Sequence, residues 1–422
     1  MKKLTKIVNL TPQRKSEISA IIKKGINKTD NVTSTNKGTE STLSMKKLDN
    51  EKSKLIFSTM HFNKQRIERL AIIAKTKKAL DTAIKNNDGI KIYEYFGFNP
   101  KADKEGFLTL SSYKQPYKGV TFADIGIDEK KLFEKVRIIE GDANFSSGSK
   151  IDKLENLEIV TGNLTTPKKQ KFDFGSLRSV NGNANCEGIV ADAPKNLVHI
   201  GGNANFSRAE MPSLGNLQYV GKNLILDNAK IKDTGNLQDV MGNISALGAK
   251  TKSMPNLKSV SGDIDISGAE VNSLPKLSLV GGSIKTYGQK SLQIDSLVTI
   301  GKDAYLKFID LKKNDNLRTI GGNAFMTGLK SKTTGGLRTV GGHLLLPLSK
   351  VKNTAVKSVG GDLFIEDTVL RNVNSLRTVG GEAWLSSDVE NHKLLEKQLL
   401  NKNIEVKKDR RYYTLDYEGW KK

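Results

Sequence analysis

Histidine, cysteine and paired carboxylates are the usual material of a catalytic or metal centre, and this chain offers little of it. Its four histidines are His61, His199, His343 and His392, and its one cysteine is Cys186. No two of these stand at a metal-ligand spacing, and the GxSxG, HExxH and CxxC patterns are absent. Gly141 with Gly148-Ser149-Lys150 has the look of a phosphate loop. Its spacing fails, because that motif needs four residues between its first glycine and a Gly-Lys pair. Acidic side chains recur in one turn column, where turn chemistry accounts for them better than paired catalytic carboxylates. The expectation is a chain that is not an enzyme and uses no metal or cofactor.

Rows of residues suited to binding are present instead. Tyr305, Phe325, Leu345, Phe364 and Trp384 follow one another at intervals of nineteen or twenty. The same column earlier is mostly polar: Asn144, Thr165, Asn185, Asn205, Ile225, Ser245, Asp265 and Lys285. If the late row points outward it forms an apolar stripe, a mark of an interaction site, and aromatics are enriched at binding hot spots. A second row, Arg318, Arg338, Lys357 and Arg377, runs beside Thr319, Thr339, Ser358 and Thr378. Like charges at strand spacing repel, so this row has a weak structural rationale. The first reading is a protein partner with an acidic surface. The second is nucleic acid, with aromatics stacking bases and cations contacting phosphates. The alternative is a C-terminal helix that covers the stripe with Leu394, Leu395, Leu399 and Leu400.

A repeat positions these rows. Leu157, Leu177, Leu197 and Leu217 begin a column that steps by twenty to Leu337 and, after the loss of one residue, continues at Val356 and Leu376. Three residues on runs a Val/Ile column from Val160 to Val379, and two further on a glycine column from Gly162 to Gly381. Lys222 and Lys302 interrupt the glycines, and Asn or Asp usually comes next, as at Asn163, Asn183 and Asp263. With a leading copy at Val136 and Ile139 this makes about 13 coils over 136–388. One coil cannot bury its apolar side alone, whereas stacked coils share a continuous core. Alternation as in Ile264-Asp265-Ile266 predicts a strand with the outer two side chains inward. Gly-Asn and Gly-Asp predict a tight turn before it, with glycine at positive φ and the Asx side chain bonding its own backbone. Ala269-Glu270-Val271, before Leu274-Pro275, predicts the return segment.

Ile264-x-Ile266-x-x-Ala269-x-Val271 resembles the L-x-L-x-x-N-x-L core of short leucine-rich repeats. The coil is also similar to L-x-x-V-G-G-x-L-x-L repeats of bacterial and phage-encoded proteins. The likeness covers 136–388. Ala209, Ala229, Ala249 and Ala269 stand where that family keeps a buried asparagine, so its asparagine ladder does not carry over. The fold class is mainly β: a single leucine-rich-repeat-like or right-handed β-solenoid with small α/β caps at both ends. The resemblance implies a binding or scaffolding role, and a phage-encoded inhibitor of a host enzyme is one form of it.

The chain has 422 residues and a formal net charge of +23. Residues 1–100 hold 21 Lys and Arg against 9 Asp and Glu, whereas 151–390 hold 29 against 23. The excess charge thus concentrates toward the start, and basic arms often meet nucleic acid or acidic surfaces. The reading is a basic, unstructured arm over 1–60 and a cap over 61–135. That cap opens with a basic amphipathic helix carrying Ile67, Leu70, Ala74, Leu80 and Ile84. A helix-and-strand cap over 389–422 begins at a capping box, Ser387 to Glu390. One cysteine excludes an internal disulfide framework and suits a reducing compartment. With no signal-peptide core and no long apolar run, a cytoplasmic protein without membrane contact is expected.

Overall fold

The computed structural model describes residues 82–408, apart from 84, 87, 114–121, 123–126, 147, 148, 313, 314 and 388. The chain divides into two compact units, and the second, 88–123 with 127–422, carries the repeats. The basic arm, all but the last residues of the first cap's amphipathic helix, and the part of the second cap beyond 408 lie outside the described residues.

The repeat unit is mainly β, a β-solenoid in which every coil adds one rung to each of two long parallel sheets. The first sheet has 15 strands and takes the Val/Ile column, as in Thr319–Ile320. The second has 14 and takes the alternating segment, as in Ala324–Phe325. A third face is paired in patches, four strands from Lys171–Phe172 to Lys230–Asp233, two at Ser291–Gln293 and Asp310–Lys312, and isolated bridges elsewhere. Register is one coil per step, Ile264 opposite Ile284 and Thr339 opposite Ser358. Thr333 still faces Asn353, so the lost residue falls in the corner between Asn353 and Val356.

Each coil turns its apolar columns inward. Leu257, Val260, Ile264, Ile266, Val271 and Leu274 are fully buried and Ala269 is 8 % exposed. Burying one such side chain is worth roughly 1.5–3 kcal/mol, and only the coil above or below supplies the covering atoms. The stack starts on a cap with its own aromatic core. Helix α1 (Gly89–Tyr95), a hairpin of Lys101–Ala102 with Leu108–Leu110, and helix α2 (Glu129–Phe133) bring together Tyr93, Phe98, Tyr113, Phe133 and Phe145. Within it the buried Glu129 carboxylate accepts from Tyr113 Oη at 2.5 Å, Lys150 N at 2.6 Å and Ser149 Oγ at 2.9 Å. Burial, and then the Glu129 charge, pushes the Tyr113 hydroxyl well above its ordinary range. At the other end, helix α3 (His392–Leu400) leads into Val406–Lys407, which pairs with Ala383–Trp384 and adds one more rung to the second sheet.

Two expectations about the turn need correction. The glycines of the Gly-Asn/Asp turn have no positive φ. They are required by close approach, since a Cβ on Gly342 would stand 2.3 Å from Asn323 Oδ1, and one on the neighbouring Gly341 2.0 Å from Gly321 O. Positive φ occurs one turn later, at Gly188, Arg208, Asn228, Gly248 and their successors. The Asx side chains, in turn, serve the next coil rather than their own backbone. Asp142 Oδ1 accepts from Asn163 N, Asn163 Oδ1 from Asn183 N, Asn183 Oδ1 from Asn203 N, and so on to Asp362 Oδ1 and Glu382 N. The chain of bonds is unbroken across Ser283 and His343, whose Nδ1 accepts from Asp362 N at 2.8 Å. A side-chain ladder of Asn, Asp, Ser and His therefore runs along the turn column, while alanine keeps the buried position where the leucine-rich-repeat pattern has asparagine.

The two interruptions in the glycine column leave a trace in this ladder. Ten of its twelve steps measure 2.6–2.8 Å. The two that follow Lys222 and Lys302 measure 3.1 and 3.2 Å. At the first of these the acceptor is Asn203 Oδ1, and at the second the shorter Ser283 side chain supplies the acceptor, Oγ.

Candidate binding surface

The second sheet places the aromatic column in register, Tyr305 beside Phe325, Phe325 beside Leu345, Leu345 beside Phe364, and Phe364 beside Trp384. Rungs of a parallel sheet stand about 4.8 Å apart, a distance that lets rings stack. Tyr305 and Phe325 lie 4.7 Å apart at 5° between planes, and Phe364 and Trp384 6.3 Å apart at 9°. Tyr287 and Lys285 extend the group toward the earlier coils, at 5.9 and 6.0 Å from the Tyr305 ring. The column does point out of the inter-sheet core, because Ala324 and Met326 on either side of Phe325 are fully buried.

It is nevertheless not the open stripe that its spacing suggests. Tyr305, Phe325 and Trp384 are half-buried, while Leu345 is 5 % and Phe364 2 % exposed. Stacked neighbours cover one another's faces, and His343 stands 6.2 Å from the Phe364 ring. Substituting Phe364 therefore removes packing, which weakens this column as a contact surface.

The alternative reading places helix α3 over the stripe, but its described hydrogen bonds and ion pairs lead to residues other than the aromatic column. Leu395 and Leu399 are buried, but Leu394 and Leu400 are exposed. Beyond Ser386 and Lys408, the bonds of the helix reach the return segment of the last coil. Val373 N donates to Gln398 Oε1 at 2.9 Å, and Asn391 Nδ2 donates to Leu370 O at 3.3 Å. The helix begins at His392 with Asn391 as its N-cap residue, later than the Ser387–Glu390 capping box predicts. Asn391 caps nothing with its side chain, because that side chain ties the helix to Leu370.

The cationic column is the open one. Arg338, Lys357 and Arg377 are exposed and Arg318 is half-buried. Their backbones bond coil to coil, Arg338 N to Arg318 O, Lys357 N to Arg338 O and Arg377 N to Lys357 O, so the four side chains leave adjacent rungs. Arg338 Nη1 donates to Ala355 O at 3.1 Å, and Arg318 Nη1 turns back onto Asp315 O and Leu317 O. Each guanidinium keeps further N–H groups. Among the described residues, no carboxylate pairs with any of the four.

Two more cationic columns lie on the third face of the same coils, and the sequence reading passed over them. Lys330 and Lys350 form one, and Lys332, Lys352 and Arg371 the other. All are exposed except the half-buried Lys352. They sit on adjacent rungs, Lys352 N bonding Lys332 O and Arg371 N bonding Lys352 O. The signal was there at the same period, thirteen and fifteen residues after the repeat leucine.

Earlier coils treat the third face differently. Lys230 Nζ meets Glu210 at 2.7 Å and Lys250 Nζ meets Glu270 at 2.8 Å, each pair on neighbouring rungs. The bond from Lys250, then its charge, holds the Glu270 carboxyl below its ordinary range. Glu187 is lowered likewise by the Lys168 hydrogen bond, with the charges of Lys168 and Arg208 adding to it.

The remaining chemistry-bearing residues serve the fold. His199 stacks on Tyr219 at 5.1 Å, His343 is a rung of the ladder, and His392 meets Ser386 O and Glu396. His61 and Gly148 lie outside the described residues. Cys186 is fully buried, which pushes its thiol up to about 12. Among the described residues, no group of three or more His, Cys, Asp or Glu side chains is placed to hold a metal ion, and no helix is long and apolar enough to cross a membrane. Comparison with protein-family models, with curated proteins and with solved structures finds no match to this chain.

Proposed function

We propose that this chain is a non-enzymatic binding or scaffold protein that holds an anionic partner on the late coils of its solenoid. One observation carries the reading. Arg318, Arg338, Lys357 and Arg377 project from consecutive rungs with no described carboxylate beside them. Stacking like charges costs stability, and earlier rungs of the third face pair theirs. A cost carried on one surface of a repeat array, and relieved by an anionic ligand, is what a binding face requires. The adjoining Thr319, Thr339, Ser358 and Thr378 add hydroxyl donors of the right kind. The repeat's likeness to short leucine-rich repeats of bacterial and phage-encoded proteins supports a recognition role, and the single buried thiol suits an intracellular setting. The aromatic column is the lesser part of this reading, because its centre is packed.

The test replaces Arg338, Lys357 and Arg377 together by Gln in the full chain. Retention on immobilised polyglutamate and on immobilised duplex DNA is then compared with that of the unaltered chain. Loss of retention on at least one of them, with an unchanged thermal midpoint, is the expected result. Undiminished retention on both would overturn the proposal.

A further inference from the structure

The late coils carry more positive surface than the row above requires, and its arrangement selects among anions. The stretches 329–340, 349–359 and 368–379 run, in three successive coils, from the third face round a corner to the first sheet. Together they hold eight Lys and Arg and no Asp or Glu. The corner itself is built of small or short residues, Gly335-Gly336, Ala355 and Asn374-Ser375. Cations stand on both sides of it: Lys332, Lys352 and Arg371 before, and Arg338, Lys357 and Arg377 after. None of these six forms an ion pair among the described residues, and all but Lys352 are exposed. The three acids in 316–378, Asp362, Glu366 and Asp367, fall outside these stretches, in the turns flanking the second sheet.

We propose that this corner binds double-stranded nucleic acid by its phosphate backbone, without reading its sequence. The inference rests on the reading that the late coils are a binding face. It goes beyond that reading in naming the partner's class and in adding the third face to the surface. Three features favour a duplex. The three stretches contain no Phe, Tyr, Trp or His, so they lack the stacking platforms on which single strands depend. They also lack the aromatic anchors of protein interfaces, where lysine is depleted. Lys and Arg beside Ser and Thr, with no base-reading element, is the composition of phosphate contact. The two cationic columns run parallel on successive rungs, one on each side of the corner, and so offer two rows of phosphate contacts.

The experiment measures binding of a fluorescent mixed-sequence DNA duplex to the full chain by anisotropy, from low to moderate salt. It uses the unaltered chain and two triple variants, K332Q/K352Q/R371Q on the third face and R338Q/K357Q/R377Q on the first sheet. Each phosphate neutralised contributes about −0.9 to the slope of log K against log salt. Each triple variant is therefore expected to flatten the slope by up to about 2.7 and to weaken binding at least tenfold at the lowest salt. Circular dichroism and the thermal midpoint check that the fold is unchanged. A slope altered by the first-sheet triple alone would overturn the corner while leaving the proposed binding face standing. Slopes unaltered by either triple would overturn the nucleic-acid inference, and the polyglutamate comparison above would then decide the binding face by itself. Polyglutamate bound as tightly as the duplex, with the same loss in both variants, would assign the surface to acidic proteins and overturn the nucleic-acid inference.

Discussion

Replacing Asn183 by alanine tests whether the turn-column ladder holds the coils together. Asn183 Oδ1 accepts from Asn203 N at 2.8 Å and from Asn203 Nδ2 at 3.0 Å, so alanine strips an acceptor from two donors of the next coil. A buried donor left without a partner costs roughly 1–3 kcal/mol. Here water reaches the turn, which places the loss near the lower end, about 1 kcal/mol. Stability in a repeat array is close to a sum of local and nearest-neighbour terms, so the effect falls on the coils that share the rung. A loss of about 1 kcal/mol corresponds to roughly fivefold faster opening. Hydrogen–deuterium exchange followed by mass spectrometry is the assay, with peptides covering 177–206 compared against peptides from 257–280. The reference variant is Asn183→Asp, which keeps the acceptor, as Asp263, Asp303 and Asp362 do in other rungs. The expected pattern is faster exchange near 203 for Asn183→Ala than for Asn183→Asp, since both lose the Asn183 Nδ2 bond to Asn163 Oδ1 and only alanine also loses the acceptor. Equal effects of the two substitutions, or none from alanine, would refute the ladder as a source of stability.

Gly342→Ala should cost about 1–3 kcal/mol by overpacking, because its Cβ would meet Asn323 Oδ1 at 2.3 Å. Lys302→Ala, in the equivalent position of an earlier coil, should change the denaturation midpoint little, since that coil already accommodates a Cβ. Cys186, buried and with its thiol pushed up to about 12, should react with a thiol reagent only at the rate at which its coils open; rapid labelling of the folded chain at neutral pH would contradict this. Acid should first loosen the early coils, at the turn of Glu187 and on the third face at Glu270. Glu187 and Glu270 have carboxyls held below the ordinary range by lysine partners. Their contribution is therefore full above the unfolded carboxylate pKa of about 4.3 and is lost as pH falls through the lower folded value. Exchange at pH 3 should accelerate around 187–208 and 250–270 more than around 330–352, where the described residues hold no such pair.

The solenoid was legible because its period is a packing constraint. Leu257, Val260, Ile264 and Ile266 recur because the coil above and the coil below must each meet the same side chain. Periodicity told which residues face in, and the burial of Ile264 and Ile266 about the half-exposed Asp265 agrees with it. It could not tell why glycine and asparagine recur. Both the conformational and the close-approach explanation predict the same letters, and the backbone angles of these glycines, with the closeness of Asn323 Oδ1 to Gly342, separate them. For the candidate surface the limit was different. That Phe325 and Phe364 leave the inter-sheet core follows from alternation. That Phe364 is then covered depends on stacking and on the path of the chain beyond the coil, which alternation does not contain. The third-face cations recur at the same period, thirteen and fifteen residues after the repeat leucine, and are as legible as the aromatic column. The leucines of helix α3 announce it in the sequence, but its start differs from the capping-box signal, because Asn391 serves Leu370 rather than a helix amide.

The most direct test of a binding face on the late coils is a footprint. Hydrogen–deuterium exchange of the full chain, with and without saturating mixed-sequence duplex DNA at low salt, reports where the ligand rests. Protection over 329–340, 349–359 and 368–379, reversed by added salt, is the result this account predicts. A duplex that binds but protects none of these three stretches would contradict it.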